Sequence, residues 1–180
     1  MQTVLIIVFA LFCIAEFYIM FRLKKMNQKL PMQASMLSFA IFVLLIALYW
    51  LTGLDIPEIF LIYSMAAIWM NAYFGYYRYL FEISRKFDRF MHAYGTFAYT
   101  LLTFALLRNF IRMEGSRFFI SLFIFTLGNA AGAFFEIFEF YSDMKKGTHT
   151  QQGLKDTNLD LIFNSLGSAA AGFYAYMFIL

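Results

Sequence analysis

The sequence predicts an all-α polytopic membrane protein, folded as a compact bundle of about six transmembrane helices. Of its 180 residues, 62% are hydrophobic and only 14% are charged, whereas the charged fraction of soluble domains is on the order of 25%. The apolar residues also form stretches of the roughly 20 residues that a helix needs to cross a bilayer. One bundle would use the whole chain, so residues 1–180 are predicted to form a single transmembrane helical domain.

Six apolar stretches account for the predicted helices, each bounded to within about three residues. In chain order they are Thr3–Phe21, Ser35–Leu54, Ile59–Tyr77, Phe90–Leu107, Arg117–Phe140 and Asp160–Leu180. The second and third helices are predicted to form an antiparallel hairpin, because the turn between them is short. Pro57 in that turn suits the first turn of the third helix. The aromatic-rich connection from Arg78 to Arg89 is expected to lie at the membrane interface.

The basic residues predict an orientation. The first, third and fifth loops hold eleven of the fourteen Lys and Arg residues, and the fourth loop holds the other three. Because basic loops favour the cytoplasmic side, both termini are predicted to be non-cytoplasmic. The expected location is the bacterial cytoplasmic (inner) membrane, with membrane lipid and not nucleic acid as the partner. The oligomeric state is left open. The single cysteine, Cys13, excludes an intramolecular disulfide and a thiolate metal cluster.

Polar residues and glycines, in or just before three of the apolar stretches, recur at intervals of three or four residues. This spacing places each set on one face of one helix. Charged groups are costly in a membrane and mostly face the interior of a bundle. The sets are Asp88, His92, Gly95 and Tyr99 in the fourth helix; Asn129, Gly132, Glu136 and Glu139 in the fifth; and Asp156, Asp160, Asn164 and Gly167 in the sixth.

The three sets are expected to converge on one site near the cytoplasmic face, because the fourth helix begins, the fifth ends and the sixth begins on the same side. The predicted catalytic residues, which are also the candidate ligands of a divalent metal cation, are His92, Glu136, Glu139 and Asp160. A ring around them is predicted from Asp88, Asp156 and Asn164. Helix packing is assigned to Gly128, Gly132, Gly167 and Gly172, because small residues at four-residue spacing let helices approach closely in lipid.

Each polar set has a functional and a structural interpretation. Asp88 can fix the tautomer of His92 four residues later, which leaves the other ring nitrogen as a base or metal ligand; alternatively it only complements the start of a helix. Glu136 and Glu139 have no basic residue three or four positions away, so their partner is another helix, a metal or water. They can also reach loop lysines. Glu16 in the first helix either joins the site or extends to the interface.

Three runs of sequence resemble a known family. They are Phe87–His92, Phe135–Phe140 and Gly153–Gly167, which carry D-x-x-x-H, E-x-x-E and D-x-x-x-D-x-x-x-N-x-x-G in that order. This combination resembles the YjdF-like bacterial inner-membrane proteins and, more distantly, the VanZ-like proteins. The resemblance covers roughly the second half of the chain. It supports the location of the site and implies no particular activity.

Three functions fit these observations. In the first, the site binds or processes a phosphate-bearing or sugar-bearing lipid at the cytoplasmic leaflet, with a divalent cation or with His92 and the carboxylates as acid and base. In the second, the same carboxylates relay charge in a small transporter or proton-coupled permease. In the third, the polar residues only join helices in a structural or regulatory membrane protein. A lipid-linked molecule or another small molecule is the expected ligand of the first function.

Overall fold

The computed structural model describes residues 2–147 and 150–179, apart from the side chain of Lys146, and within these ranges the chain is helical without a β-strand. The predicted all-α fold is therefore confirmed. The elements are α1 (Gln2–Lys25), α2 (Lys29–Thr52), α3 (Glu58–Met70) with a π-helical continuation (Asn71–Tyr77), α4 (Leu80–Ile83), α5 (Arg85–Arg108), α6 (Arg117–Lys146) and α7 (Leu154–Phe178).

Five helices in the described ranges are long and apolar enough to cross a membrane: α1, α2, α3 with its π-helical continuation, α5 and α6. The sixth predicted span corresponds to α7. With 25 residues and a rise of about 1.5 Å per residue, α7 is long enough to cross, but it is not among the helices that are both long and apolar enough. That α7 spans the membrane, and that both termini are non-cytoplasmic, stay predictions.

Most helices extend beyond their predicted apolar stretches. α5 begins at Arg85 and not at Phe90, and α6 continues to Lys146. Polar interfacial residues continue a helix because its backbone hydrogen bonds do not depend on side-chain hydropathy. Side-chain caps set the starts: Ser84 accepts a hydrogen bond from Phe87 N in α5, and Ser116 caps α6 in the same way.

The third predicted helix differs from the structure at both ends. Pro57 is the N-cap residue of α3 and does not lie in its first turn. The helix widens into π-helical geometry over Asn71–Tyr77, where the apolar pattern predicts ordinary α-helix. A Cβ at Gly75 in this segment would overlap the ring of Phe81. Glycine at this position therefore permits the close contact with α4.

The chain divides into two compact units, residues 1–87 with 105–110 and residues 88–104 with 111–180. In the first unit α1 packs against α2, α3 and the π-helical segment. One part of its core is formed by Ile19, Leu23 and Ala72. The second unit contains most of α5 together with α6 and α7, and the last two helices pack along their length. The single-domain organisation of residues 1–180 stays a prediction.

Glycines bring α6 close to its neighbours in the second unit. Every fourth residue of α6 is buried, from Ile124 through Gly128 and Gly132 to Glu136. A Cβ at Gly128 would lie 2.5 Å from the Ser168 hydroxyl, and one at Gly132 would lie 2.7 Å from the Asn164 side chain. Residues later in α6 thus face residues earlier in α7. The two helices are therefore antiparallel.

The glycines of α7 have the same effect. A Cβ at Gly167 would overlap the backbone carbonyl of Ala93 in α5, and one at Gly172 would lie 2.9 Å from the carbonyl oxygen of Ser121 in α6. The structure thus places all four predicted packing glycines at contacts between helices.

Candidate functional site

The imidazole of His92 lies beside two carboxylates of different helices. Its side chain is only 8% exposed. Nε2 lies 3.9 Å from Oδ1 of Asp88, one turn earlier in α5, and 3.9 Å from Oδ1 of Asp160 in α7. Both separations exceed hydrogen-bond length. One ligand atom from each of the three residues lies within 4.8 Å of the other two, so the three atoms are close enough together to share one ion.

The other ring nitrogen of His92 has polar neighbours from α6 and α7. Nδ1 lies 3.2 Å from Oδ1 of Asn164 and 3.6 Å from Oε1 of Glu136. The Thr96 hydroxyl donates to the same Asn164 oxygen at 2.7 Å. The Asn164 oxygen and an ionised Glu136 carboxylate can only accept, so they favour a proton on Nδ1. In the tautomer with the proton on Nδ1, the lone pair of Nε2 would face Asp88 and Asp160, as in a metal-binding histidine.

Two buried carboxylates of this group, Glu136 and Asp160, have no Lys or Arg as a partner in the described ranges. Glu136 and Asp160 are each 4% exposed. Their atoms Oε1 and Oδ1, respectively, have no hydrogen-bond donor in the described ranges. No Lys or Arg there lies within 4.0 Å of either carboxylate, and His92 is their ion-pair neighbour. Since buried charges are normally paired or coordinate metals, the pairing of these two carboxylates depends on His92 or on a bound cation.

The loop between α6 and α7 supplies a further contact to Glu136. The side-chain amide of Gln151 donates to the backbone carbonyl of Glu136 at 2.9 Å and to its Oε2 at 3.3 Å. Asp143 in turn holds this part of the loop, because its carboxylate accepts from the backbone N–H groups of Thr150 and Gln151 at 3.0 and 2.9 Å. The loop thus fixes one oxygen of Glu136, while the other faces His92.

The remaining predicted residues occupy different places. Asp156 is buried one turn before Asp160. Glu139 is half-buried, and no residue of the described ranges forms a hydrogen bond or ion pair with it. The structure therefore brings His92, Glu136, Asp160, Asp88 and Asn164 together and leaves Glu139 at the margin. Tyr99, included in the predicted set of α5, is 42% exposed.

Sequence reasoning missed two residues of the site. Thr96 lies four residues after His92 and therefore on the same face of α5, so its spacing could have predicted that it belongs to the site. Gln151 gave no signal, because its contact depends on the folded loop. The predicted metal ligands were His92, Glu136, Glu139 and Asp160. In the structure, the triad of residues whose ligand atoms lie within 4.8 Å of one another is Asp88, His92 and Asp160, so that Asp88 takes the place of both glutamates.

The chain belongs to the family described as "Predicted membrane protein (DUF2238)", whose model matches residues 1–179. A protein of Thermotoga maritima, described as "Uncharacterized protein", is similar to this chain, with 31% identity over 118 residues. The matched region covers 65% of this chain and 62% of that relative's length. No solved structure matches the chain.

Proposed function

We propose that this member of the DUF2238 family binds a divalent cation through Asp88, His92 and Asp160. The cation would hold the phosphate or sugar head of a membrane lipid for binding or processing. The observation that carries the proposal is the triad of ligand atoms within 4.8 Å of one another. We also propose a cytoplasmic-face location in the bacterial inner membrane, which rests on the basic loops, and membership of the YjdF-like group. The likeness to VanZ-like proteins stays a prediction.

The separations of the triad suit a shared ion. Metal bonds to carboxylate oxygen and imidazole nitrogen are about 2.0–2.2 Å long, which places two ligands of one ion roughly 3–4 Å apart. The 3.9 Å separations from Nε2 to Asp88 and Asp160 fall in this range. Oxygen donors with one imidazole suit Mg²⁺, Mn²⁺ or Zn²⁺. The remaining coordination positions would be open to water or to a ligand.

A lipid head group fits this chemistry because of the charge at the site. Buried carboxylates repel a phosphate unless a cation lies between them, and Mg²⁺ sites commonly combine one or two carboxylates with substrate phosphates. Glu136 contacts the opposite side of the imidazole and Gln151, where it would orient His92 and increase its basicity. A sugar head group would use its hydroxyls as metal ligands in the same position.

A second candidate is a proton relay in a small permease. The observation in its favour is that His92 has carboxylates at both ring nitrogens, Glu136 at Nδ1 and Asp88 with Asp160 at Nε2. An imidazole in this position can accept a proton on one side and release it on the other.

The decisive experiment is calorimetric titration of the purified protein in nanodiscs with Mg²⁺, Mn²⁺ and Zn²⁺. We expect binding of one cation per chain. In Asp160→Asn and His92→Ala the affinity should fall by at least about 10–100-fold, because this is already the typical loss when a residue that only supports a metal ligand is replaced. Glu114→Gln is the control, since Glu114 is exposed and paired with Arg112; its affinity should equal that of the wild type.

Folded protein without affinity for any of these cations would overturn the proposal. In that case proton flux into proteoliposomes, present in the wild type and absent in His92→Gln, would support the permease. Lack of both activities would leave the polar group as a structural link between helices.

A further inference from the structure

A cleft with two arginines lies in the first unit, and we call it the arginine cleft. Its lining residues are Arg22, Met26, Tyr77, Arg78 and Tyr79. Its volume of about 410 Å³ falls in the range of roughly 300–1,000 Å³ that is typical of small-molecule sites. The candidate spans formed by α1 and by the third helix end at Lys25 and Tyr77. The arginine cleft is therefore expected to lie at the membrane interface, at the level of the lipid head groups.

The two arginines of the cleft have no acidic partner. Neither Arg22 nor Arg78 forms an ion pair in the part of the chain that the structure describes. Residues 17–54 and 59–81, which include every lining residue, contain no Asp or Glu. An arginine side chain keeps its charge in proteins. The arginine cleft therefore carries two positive charges to which the described residues supply no counterion.

The guanidinium of Arg22 is held by aromatic rings of two helices. Its Cζ lies 5.8 Å from the centroid of the Tyr18 ring in α1 and 5.4 Å from that of the Tyr77 ring in the π-helical segment. Its Nη1 donates a hydrogen bond to the Tyr18 hydroxyl at 3.2 Å. The two rings attract the cation and fix its position. Because a guanidinium has five N–H donors, most of them remain available to a ligand.

The loop that carries Arg78 and Tyr79 is tied to the rest of the first unit. The backbone N–H of Arg78 donates to the carbonyl of Tyr73 at 2.9 Å. Tyr79 has a left-handed backbone conformation with φ 58°, which residues with a Cβ rarely adopt. Its hydroxyl accepts a hydrogen bond at 3.3 Å from the side-chain amide of Gln28, in the connection between α1 and α2. The backbone of Arg78 is therefore fixed, while its exposed side chain lines the cleft.

A simpler role for such arginines is to complement helix C-termini, where positive charges are favoured. Lys24 and Lys25 also lie in the last turn of α1 and could serve this purpose equally well. Arg22 instead extends back to the Tyr18 hydroxyl, one turn away from the end of α1, and over the Tyr77 ring of another helix. Its position is therefore that of a residue that shapes the arginine cleft.

We infer that the arginine cleft binds the phosphate group of an anionic membrane phospholipid. The planar fork of an arginine pairs with phosphate oxygens through two parallel hydrogen bonds, and basic pockets between membrane helices are typical sites for anionic head groups. The Tyr79 hydroxyl, which accepts from Gln28, can still donate to a head-group oxygen. A phospholipid is favoured over a soluble phosphate because the cleft lies at the ends of two candidate spans. The site shares no residue with the cation site of the proposed function.

Native mass spectrometry of the detergent-solubilised protein tests this inference, because it resolves single bound lipids. The protein is titrated separately with phosphatidylglycerol, phosphatidylcholine and glycerol 3-phosphate, each with a divalent-cation chelator present. We expect phosphatidylglycerol to bind at least about fivefold more tightly than phosphatidylcholine, whose choline group offsets the phosphate charge. Arg22→Gln and Arg78→Gln should each weaken phosphatidylglycerol binding about fivefold, the typical effect of one basic residue on attraction to anionic lipid.

Lys25→Gln is the matched control, because Lys25 is an exposed residue of the same basic segment and does not line the arginine cleft. It removes the same charge, and phosphatidylglycerol affinity should be nearly unchanged. An equal loss in Lys25→Gln would show that diffuse positive charge attracts the lipid, and would overturn the inference. Equal affinities of the wild type for the two lipids would also overturn it. Binding of glycerol 3-phosphate as tight as that of phosphatidylglycerol would identify a soluble ligand and overturn the lipid assignment.

Helical circular dichroism shows whether each variant is folded. If Arg22→Gln does not fold, Arg78→Gln decides, because the exposed side chain of Arg78 is not needed for packing. Arg78→Gln should retain wild-type affinity for divalent cations, and the chelator keeps the proposed cation site from holding a lipid phosphate during the titrations. Failure of this inference is therefore distinguishable from failure of the proposed function.

Discussion

Helices α1–α3 and helices α6–α7 bury different kinds of side chain. The first three contain no glycine, and their buried residues are mostly large and apolar. Glycine, serine, asparagine and carboxylates line the contact between α6 and α7. The main polar exception in the first group is Glu16 with two buried serines, Ser35 and Ser64. The side-chain oxygens of these three residues have no hydrogen-bond partner in the described ranges, whereas many polar atoms of α6 and α7 have one.

The difference shows what a polar interior requires of helix packing. A hydrogen bond needs its two atoms about 3 Å apart, and short side chains reach that distance only where backbones approach closely. In α6–α7 the Ser121 hydroxyl donates to the carbonyl of Gly172 at 2.7 Å, and Ser165 donates to Asn129 at 2.6 Å. The backbones of α1, α2 and α3 approach one another at fewer positions, and the side chains buried between them are mostly large.

The largest effect is expected from Gly167→Ala, which should remove the close approach on which the polar helices depend. The added Cβ would overlap the backbone carbonyl of Ala93, which cannot swing away as a side chain can. Overpacking of this kind costs about 1–3 kcal/mol. The free energy of unfolding is measured by denaturant titration of the protein in mixed micelles, with helical circular dichroism as the signal.

Gly95→Ala is the control for Gly167→Ala. A Cβ at Gly95 would meet only the Tyr99 ring, at an ordinary distance of 3.7 Å. Alanine is a better helix former than glycine by up to about 1 kcal/mol, so the free energy of unfolding should be unchanged or raised. Equal losses in both variants would show that glycine itself, and not the close contact, accounts for the effect.

The second prediction compares the two glutamates of α6. Glu136 lies 3.6 Å from Nδ1 of His92, whereas Glu139 has no ion pair within the described ranges. Replacing the charge beside His92 should weaken the imidazole as a ligand, so Glu136→Gln is expected to lower divalent-cation affinity about tenfold. Glu139→Gln should lower it less. Both affinities come from the calorimetric titration used for the triad.

The stability of the same variants separates a binding site from a structural link. Removing one of several crowded negative charges relieves repulsion, so the free energy of unfolding should be unchanged or higher in Glu136→Gln. A loss of stability that parallels the loss of cation affinity would instead identify the carboxylates as links between helices. Such a result would make the polar contacts of α6–α7 a packing device, comparable in role to the large side chains of α1–α3.

The sequence was sufficient to predict the middle of each long helix and the residues that meet at the site. The sequence could place four of these residues together: His92, Glu136, Asp160 and Asn164. Their helical spacing predicts which face of its helix each one lies on, and the alternating direction of successive membrane spans predicts its depth in the membrane. Helix ends were less predictable, since α6 continues through polar residues to Lys146 and α7 already begins at Leu154. Hydropathy marks the apolar part of a helix and not where its hydrogen bonds stop.

Features that depend on tertiary contact could not be predicted. The π-helical segment contains no residue pattern that distinguishes it from ordinary helix, and its Gly75 is explained only by the position of Phe81. The contact of Gln151 with Glu136 exists because Asp143 binds backbone N–H groups of the loop. The sequence could therefore indicate the helical residues that lie together, and it missed the contact that a loop contributes; that these residues form a functional site stays a prediction.

The smallest effect is expected from Thr96→Val, which tests a single polar contact of the site. The Thr96 hydroxyl donates to Asn164 at 2.7 Å across two helices, and hydrogen bonds between membrane helices contribute about 0.6 kcal/mol on average. Thr126→Val is the matched control, because its hydroxyl donates within its own helix to the carbonyl of Phe123. We expect the free energy of unfolding to fall by about this amount in Thr96→Val alone.

Cation affinity should fall slightly as well, since Asn164 loses one of the contacts that hold it against Nδ1 of His92. An identical change in the two variants would mean that the hydroxyl acts only on its own helix, and that the Asn164 contact does not position the imidazole.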